Sequence, residues 1–290
     1  VPRNAGRIGP TATRAGGGIW ALNQQYQQVR DGTWYPPVVT GGTLTSDATY
    51  YYRTFTGNGT LEISGSAVTM DYLVVAGGGA GGHSNVDSRQ SSGGGAGGLL
   101  QGTLLNLAAG SYPVVIGAGG TAPATDGNNT TAFTLTALKG GKGGGGGGGN
   151  GGGGSGAYGS GGGQGGSGDN IPTANNAQGT SGQGFAGGSA TFGSGDAAGG
   201  GGGAGGAGGN ASGTTAGTGG AGVTSTISGA SVGYAGGGGN NSDLGFGGGF
   251  NGSDPNRAGM ANRGGGGKGT TGAGGSGVVI VRYLRSIVGG

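Results

Sequence analysis

The chain has 290 residues, of which 92 are glycine, 31% are apolar and only 8% are charged. So few apolar side chains exclude a single large core, and 13 basic against 10 acidic residues, scattered to a net +3, exclude the basic stripe that nucleic-acid binding uses. The absence of cysteine excludes disulfide staples and Cys-ligated metal sites, and no apolar run approaches the ~20 residues of a membrane-spanning helix.

In chain order, residues 1–18 read as an extended polar arm, with Arg3, Arg7, Arg14, Pro2 and Pro10 and no apolar stretch of the signal-peptide kind. A short helix follows. Ile19, Leu22, Tyr26 and Val29 recur at helical spacing and share one face, and Asp31-Gly32 stops the helix. Two readings stay open for this face: packing on the chain's own domain, or an a/d seam for self-association as a homotrimer. Residues 1–40 thus form an N-terminal arm with an attachment or oligomerisation helix, and residues 41–290 form the main domain.

From residue 41 to 139 the pattern is that of a β scaffold. Tyr50–Thr56, Gly57-Asn58-Gly59 and Thr60–Ser64 read as a β-hairpin, with aromatic and β-branched runs around a Gly/Asn turn. Further strands are expected at Asp71–Ala76, Leu99–Leu107, Tyr112–Ile116 and Thr131–Leu138, and a closing strand in 277–290 returns to pair with the early ones. The glycine-rich zone of 140–276 is then an insertion, with precursors at Gly77–Gly82 and Gly93–Gly98.

Composition alone matches a flexible linker. The runs are nevertheless interrupted by short polar or aromatic patches, a spacing that suits rods joined by loops. Consecutive glycines disfavour an α-helix by roughly 0.8–1 kcal/mol each, and a bare glycine sheet has no side chains to set register. A polyproline-II-type rod, with three residues per turn, lets glycine backbones approach and hydrogen-bond to one another. Residues i, i+3 and i+6 then share an edge, as Ala204, Ala207 and Asn210 do, and Ala273, Ser276 and Val279.

Chemistry is sparse. Gly-x-Gly-x-x-Gly matches carry no information at this glycine content, and Gly264–Gly267 with Lys268-Gly269-Thr270 lacks the Ser/Thr that must follow a phosphate-loop lysine. His83 is the only histidine and Glu62 the only glutamate, so no His-based triad or metal site is expected, no cofactor is called for, and enzymatic function is not expected. The patches supply binding candidates instead: His83, Arg89, Tyr158, Phe185, Phe192, Tyr234, Phe246, Phe250 and Arg257. A rigid aromatic at a loop tip offers contact area at low entropic cost. The same aromatics could equally plug the sides of the bundle.

Phe55-Thr56-Gly57-Asn58-Gly59-Thr60-Leu61, Asp71–Gly82 and Gly274–Tyr283 resemble the glycine-rich domain of bacteriophage tail-fibre and receptor-binding proteins. Gly18–Leu22 through Trp34-Tyr35-Pro36 is similar to a linker that precedes that domain. A more distant resemblance is to tail-fibre adhesins of T-even-like phages, whose glycine runs form polyglycine-II rods with receptor-reading loops. The resemblance implies a virion tip protein, extracellular and without membrane insertion, that binds a host surface glycan or outer-membrane protein and other tail proteins. The expected fold is mainly β: a β-sandwich-like scaffold with an inserted polyglycine-II bundle and one short N-terminal helix. The alternative function is a structural glycine-rich spacer without a receptor.

Overall fold

The computed structural model describes residues 26, 30, 36–84, 90–146, 157–166, 177–191, 196–239, 258–270 and 272–288. The expected N-terminal helix lies almost wholly outside these. Ile19, Leu22 and Val29 fall outside, and Tyr26 is 70% exposed.

The fold is mainly β. Among the described residues, one five-stranded antiparallel sheet has the order β1 (Val38–Thr40), β4 (Gly59–Ser64), β7 (Gly110–Val115), β8 (Thr130–Ala132) and β9 (Leu135–Ala137). A second has the order β2 (Thr43–Ser46), β3 (Tyr50–Phe55), β12 (Val278–Leu284), β5 (Val68–Val75) and β6 (Leu99–Leu107). Alternate residues of each face inward. Val39, Leu61, Ile63 and Val114 of the first sheet meet Phe55, Met70, Val74, Val279 and Val281 of the second in one buried core. The central strands β5 and β12 are buried on both faces. Leu73, Val75, Val278 and Ile280 pack outward against Ile227 and Tyr234, which belong to or flank the small hairpin β10 (Val223–Ser225) and β11 (Val232–Tyr234).

Most expected strands form, but the expected hairpin does not. β3 pairs with β2 and β12, whereas β4 pairs with β1 and β7. The Gly57-Asn58-Gly59 corner therefore crosses from one sheet to the other. The reason lies in the core: Phe55 and Leu61 are both buried between the sheets, which is where two strands of opposite sheets put their apolar faces. The Asn58 carboxamide oxygen holds the corner by accepting from the Ile116 amide at 2.9 Å. The single strand expected over Thr131–Leu138 is divided into β8 and β9 by a tight turn in which Phe133 has φ +60°. β1, β2 and the β10–β11 hairpin were not foreseen, being short and weakly apolar.

The glycine segments grow directly out of the strands. β5 and β6 pair with a period of two as far as Val75↔Leu99. Beyond that point the same two chain paths continue as rods, residues 76–84 and 90–98, with bonds from the amides of Ala76, Gly79 and Gly82 to the carbonyls of Gly98, Gly95 and Ser92. The period has changed to three. The next set of donors in rod 76–84, Gly77 and Ala80, bonds to Asn128 and Thr125, and the third, Gly78 and Gly81, bonds to Gly275 and Gly272. Its carbonyls in turn accept from rods at 138–146 and 263–270 and from Gly120 and Ala124. One rod is thus hydrogen-bonded to neighbours all around it, three-fold on the donor side, which is the lattice of a polyglycine-II bundle.

Rod 196–204 repeats the arrangement. Gly199 and Gly202 donate to Gln164 and Gly161, Gly200 and Gly203 to Gly209 and Gly206, and Gly201 and Ala204 to Gly238 and Ala235. At most of the rods' glycine positions a side chain has no room. A Cβ on Gly201 would fall on the carbonyl oxygen of Gly94, and one on Gly238 on that of Gly267, well inside 3.0 Å. This steric requirement accounts for the glycine content.

The three-residue edge rule holds within a rod and fails across its ends. Ala207 and Asn210 share an exposed edge, but Ala204 is separated from them by the turn at Gly205-Gly206. Ser276 and Val279 straddle the passage from rod to β12, where the period reverts to two.

Candidate functional site

The rods have two ends. The near end abuts the sandwich at Ala76, Gly98, Leu138 and Gly277, and the far end is marked by the cross-bonds of Gly82, Ser92, Gly144 and Gly163. At the far end, too, backbone positions are set by the lattice beneath them. Ser92 locks it: its hydroxyl donates to the Gly163 carbonyl at 2.6 Å and accepts from the Gly144 amide at 2.6 Å, tying three rods. His83 is exposed there, and its carbonyl accepts from the Gly146 amide. Gln164 and Asn210 brace the adjoining rods, accepting from the amides of Ala190 and Ser189 at 3.1 and 2.8 Å.

The described aromatic candidates lie at the other end. Tyr158 and Tyr234 are only 2% and 3% exposed, so both are corrected from loop-tip contacts to packing groups. Tyr158 begins rod 158–166 beside the sandwich, because Gly159 pairs with Lys139 just beyond β9. Its ring lies under the Lys139 ammonium, 5.6 Å from the centroid, and its hydroxyl reaches Asp126 Oδ2 at 3.3 Å. Asp126 also receives the Lys139 ammonium at 2.9 Å and the Lys142 amide at 3.0 Å, so one carboxylate staples three glycine-rich segments. Burial, reinforced by the negative charge of Asp126, pushes the Tyr158 phenol up to about 12. Tyr234 ends β11 and packs on the outer face of the second sheet; burial raises its phenol too.

Phe185 is 49% exposed. It too belongs to the near end, where Gly161 donates to its carbonyl and its own amide donates to Gly203. It lines a groove of about 700 Å³ with Leu99, Leu100 and Gln101 of β6 and residues of the 178–186 loop. Arg89, Phe192, Phe246, Phe250 and Arg257 lie outside the described residues.

Sequence reading did not single out Gln183, which turned out to join the two sheets. Its side-chain amide donates to the Thr136 carbonyl at 3.2 Å and accepts from the Leu138 amide at 2.8 Å, imitating a neighbouring strand at the edge of β9. Its backbone carbonyl accepts from Leu99 at the edge of β6. Only the pairing of these edges reveals that role; a glutamine between glycines carries no local signal. Among the described residues no group of three or more His, Cys, Asp or Glu is placed to hold a metal ion.

A family model for the glycine-rich domain matches residues 53–284, a span that runs from β3 to the end of β12 and takes in both the sandwich and the rods. No curated protein matches the chain. With the matched span enclosing the strand-to-rod architecture, the chain belongs to the glycine-rich domain family.

Proposed function

We propose that this chain is a bacteriophage tail-fibre or tail-tip adhesin, which recognises a host surface glycan or outer-membrane protein through the segments joining its glycine rods. The observation that carries the reading is the division of labour in the fold. A lattice of backbone hydrogen bonds fixes the rod ends, so the residues between rods can change without disturbing a side-chain core. On this reading His83 and the candidates Arg89, Phe192, Phe246, Phe250 and Arg257 form the recognition surface, the protein acts as a homotrimer in the virion, and it has no enzymatic activity. The flanking motifs at Phe55–Leu61, Asp71–Gly82 and Gly274–Tyr283 support the tail-fibre context by their resemblance to such proteins.

Adsorption of the purified protein to bacterial cells, with blocking of phage infection, tests the claim. Saturable adsorption that competes with phage supports it, and failure on every plausible host removes it. Light scattering that gives a stable monomer removes the trimer. A second reading, a structural spacer without a receptor, is favoured by the placement of Tyr158, Phe185 and Tyr234 at the sandwich end, away from the far loops.

A further inference from the structure

We propose that the groove beside the start of β6 binds an uncharged hexose oligosaccharide. The proposal rests on the adhesin reading and gives it a ligand class, but it moves the contact to the near end of the rods. The groove, at about 700 Å³, is in the size range of small-molecule sites, roughly 300–1,000 Å³. Among the described residues no ionisable side chain lines it. A charged ligand there would shed water and meet no countercharge, a costly exchange.

What does line it suits a polyhydroxyl ring. Phe185 presents a half-exposed phenyl face, on which the C–H face of a pyranose can stack. Gln101 and Ser181 are exposed and their side chains have no hydrogen-bond partner among the described residues, so an amide and a hydroxyl are available to sugar hydroxyls. The wall is held in place. Gln183 is bonded through its side chain to Thr136 and Leu138 and through its carbonyl to Leu99, and Gly182, at φ +80°, makes the turn that brings the loop back along β6. Such prior fixing lowers the ordering cost of binding. An added peptide strand is disfavoured, because the edge of β6 is already occupied at Leu99 by the Gln183 carbonyl at 3.1 Å.

Calorimetric titration and saturation-transfer NMR of the full chain test this, using uncharged tetra- to hexasaccharides of glucose, galactose, mannose and N-acetylglucosamine. A sulfated oligosaccharide of equal length and an extended uncharged decapeptide serve as competitors. Saturable binding of at least one uncharged saccharide is expected, weakened about tenfold or more by Phe185→Ala and several-fold by Gln101→Ala, with thermal unfolding unchanged. The proposal is overturned if no uncharged saccharide binds, if the sulfated sugar or the peptide binds more tightly, or if Gln101→Ala, at an exposed position of β6, leaves the affinity intact. Cell adsorption without saccharide binding sinks this inference and leaves the adhesin reading standing. Saccharide binding without adsorption does the reverse.

Discussion

The sandwich and the rod bundle solve the same problem with opposite materials. Between the sheets, order comes from side chains: Leu61, Met70, Val74 and Val281 are almost fully buried, and backbone pairing follows a period of two. In the bundle, order comes from the backbone itself, and the period is three. The hydrophobic effect acts mainly on the first, and hydrogen bonds in a dry interior hold the second. The comparison teaches that glycine, the residue most costly to order, becomes the required residue when neighbouring rods on every side must come within hydrogen-bonding distance.

The sharpest way to break the comparison is to put one methyl group into the lattice. Gly201→Ala would drive a Cβ onto the Gly94 carbonyl and push apart rods joined by the Ala96–Gly202 bond, so a loss of about 3 kcal/mol is expected in urea unfolding. Removing methyls from the sandwich should cost a comparable amount by the opposite route. Leu61→Ala leaves a cavity between the sheets, at about 2–5 kcal/mol in the same assay.

A smaller effect separates the two regions by pH. The folded protein holds the Tyr158 proton up to about pH 12, whereas the unfolded chain releases it near pH ~10. The stability that goes with this raised phenol is fully present below pH ~10 and is lost as pH rises toward ~12. Thermal unfolding of the wild type should therefore fall more steeply over that window than in Tyr158→Phe. The smallest effect is the control. At Gly57 an added Cβ meets nothing within 4 Å, so Gly57→Ala is expected to stay within about 0.5 kcal/mol of wild type in urea unfolding.

Much of the scaffold was legible locally. Leu99–Leu107 coincides with its predicted strand, and Val278–Leu284 lies between β3 and β5, as a closing strand returning to the early ones should. The partner of β4 was not legible, because a Gly/Asn corner looks the same whether it makes a hairpin or joins two sheets. Candidate contacts were legible only as residue types. Tyr158 and Phe185 each interrupt a glycine-rich stretch, yet one is buried under Lys139 and the other lines an open groove. That difference depends on which rod lies alongside.

The chain's own sequence determined the two periods: alternating apolar residues demand strands, and runs of glycine with no side chain to bury permit little except close-packed rods. Tertiary structure alone decided which rod pairs with which, which end of the bundle each aromatic occupies, and that Gln183 closes the edges of both sheets. The physical reason is that every glycine carries the same donor and acceptor. Local sequence thus fixes how a rod can bond, while the choice of neighbour belongs to the strands from which the rods emerge.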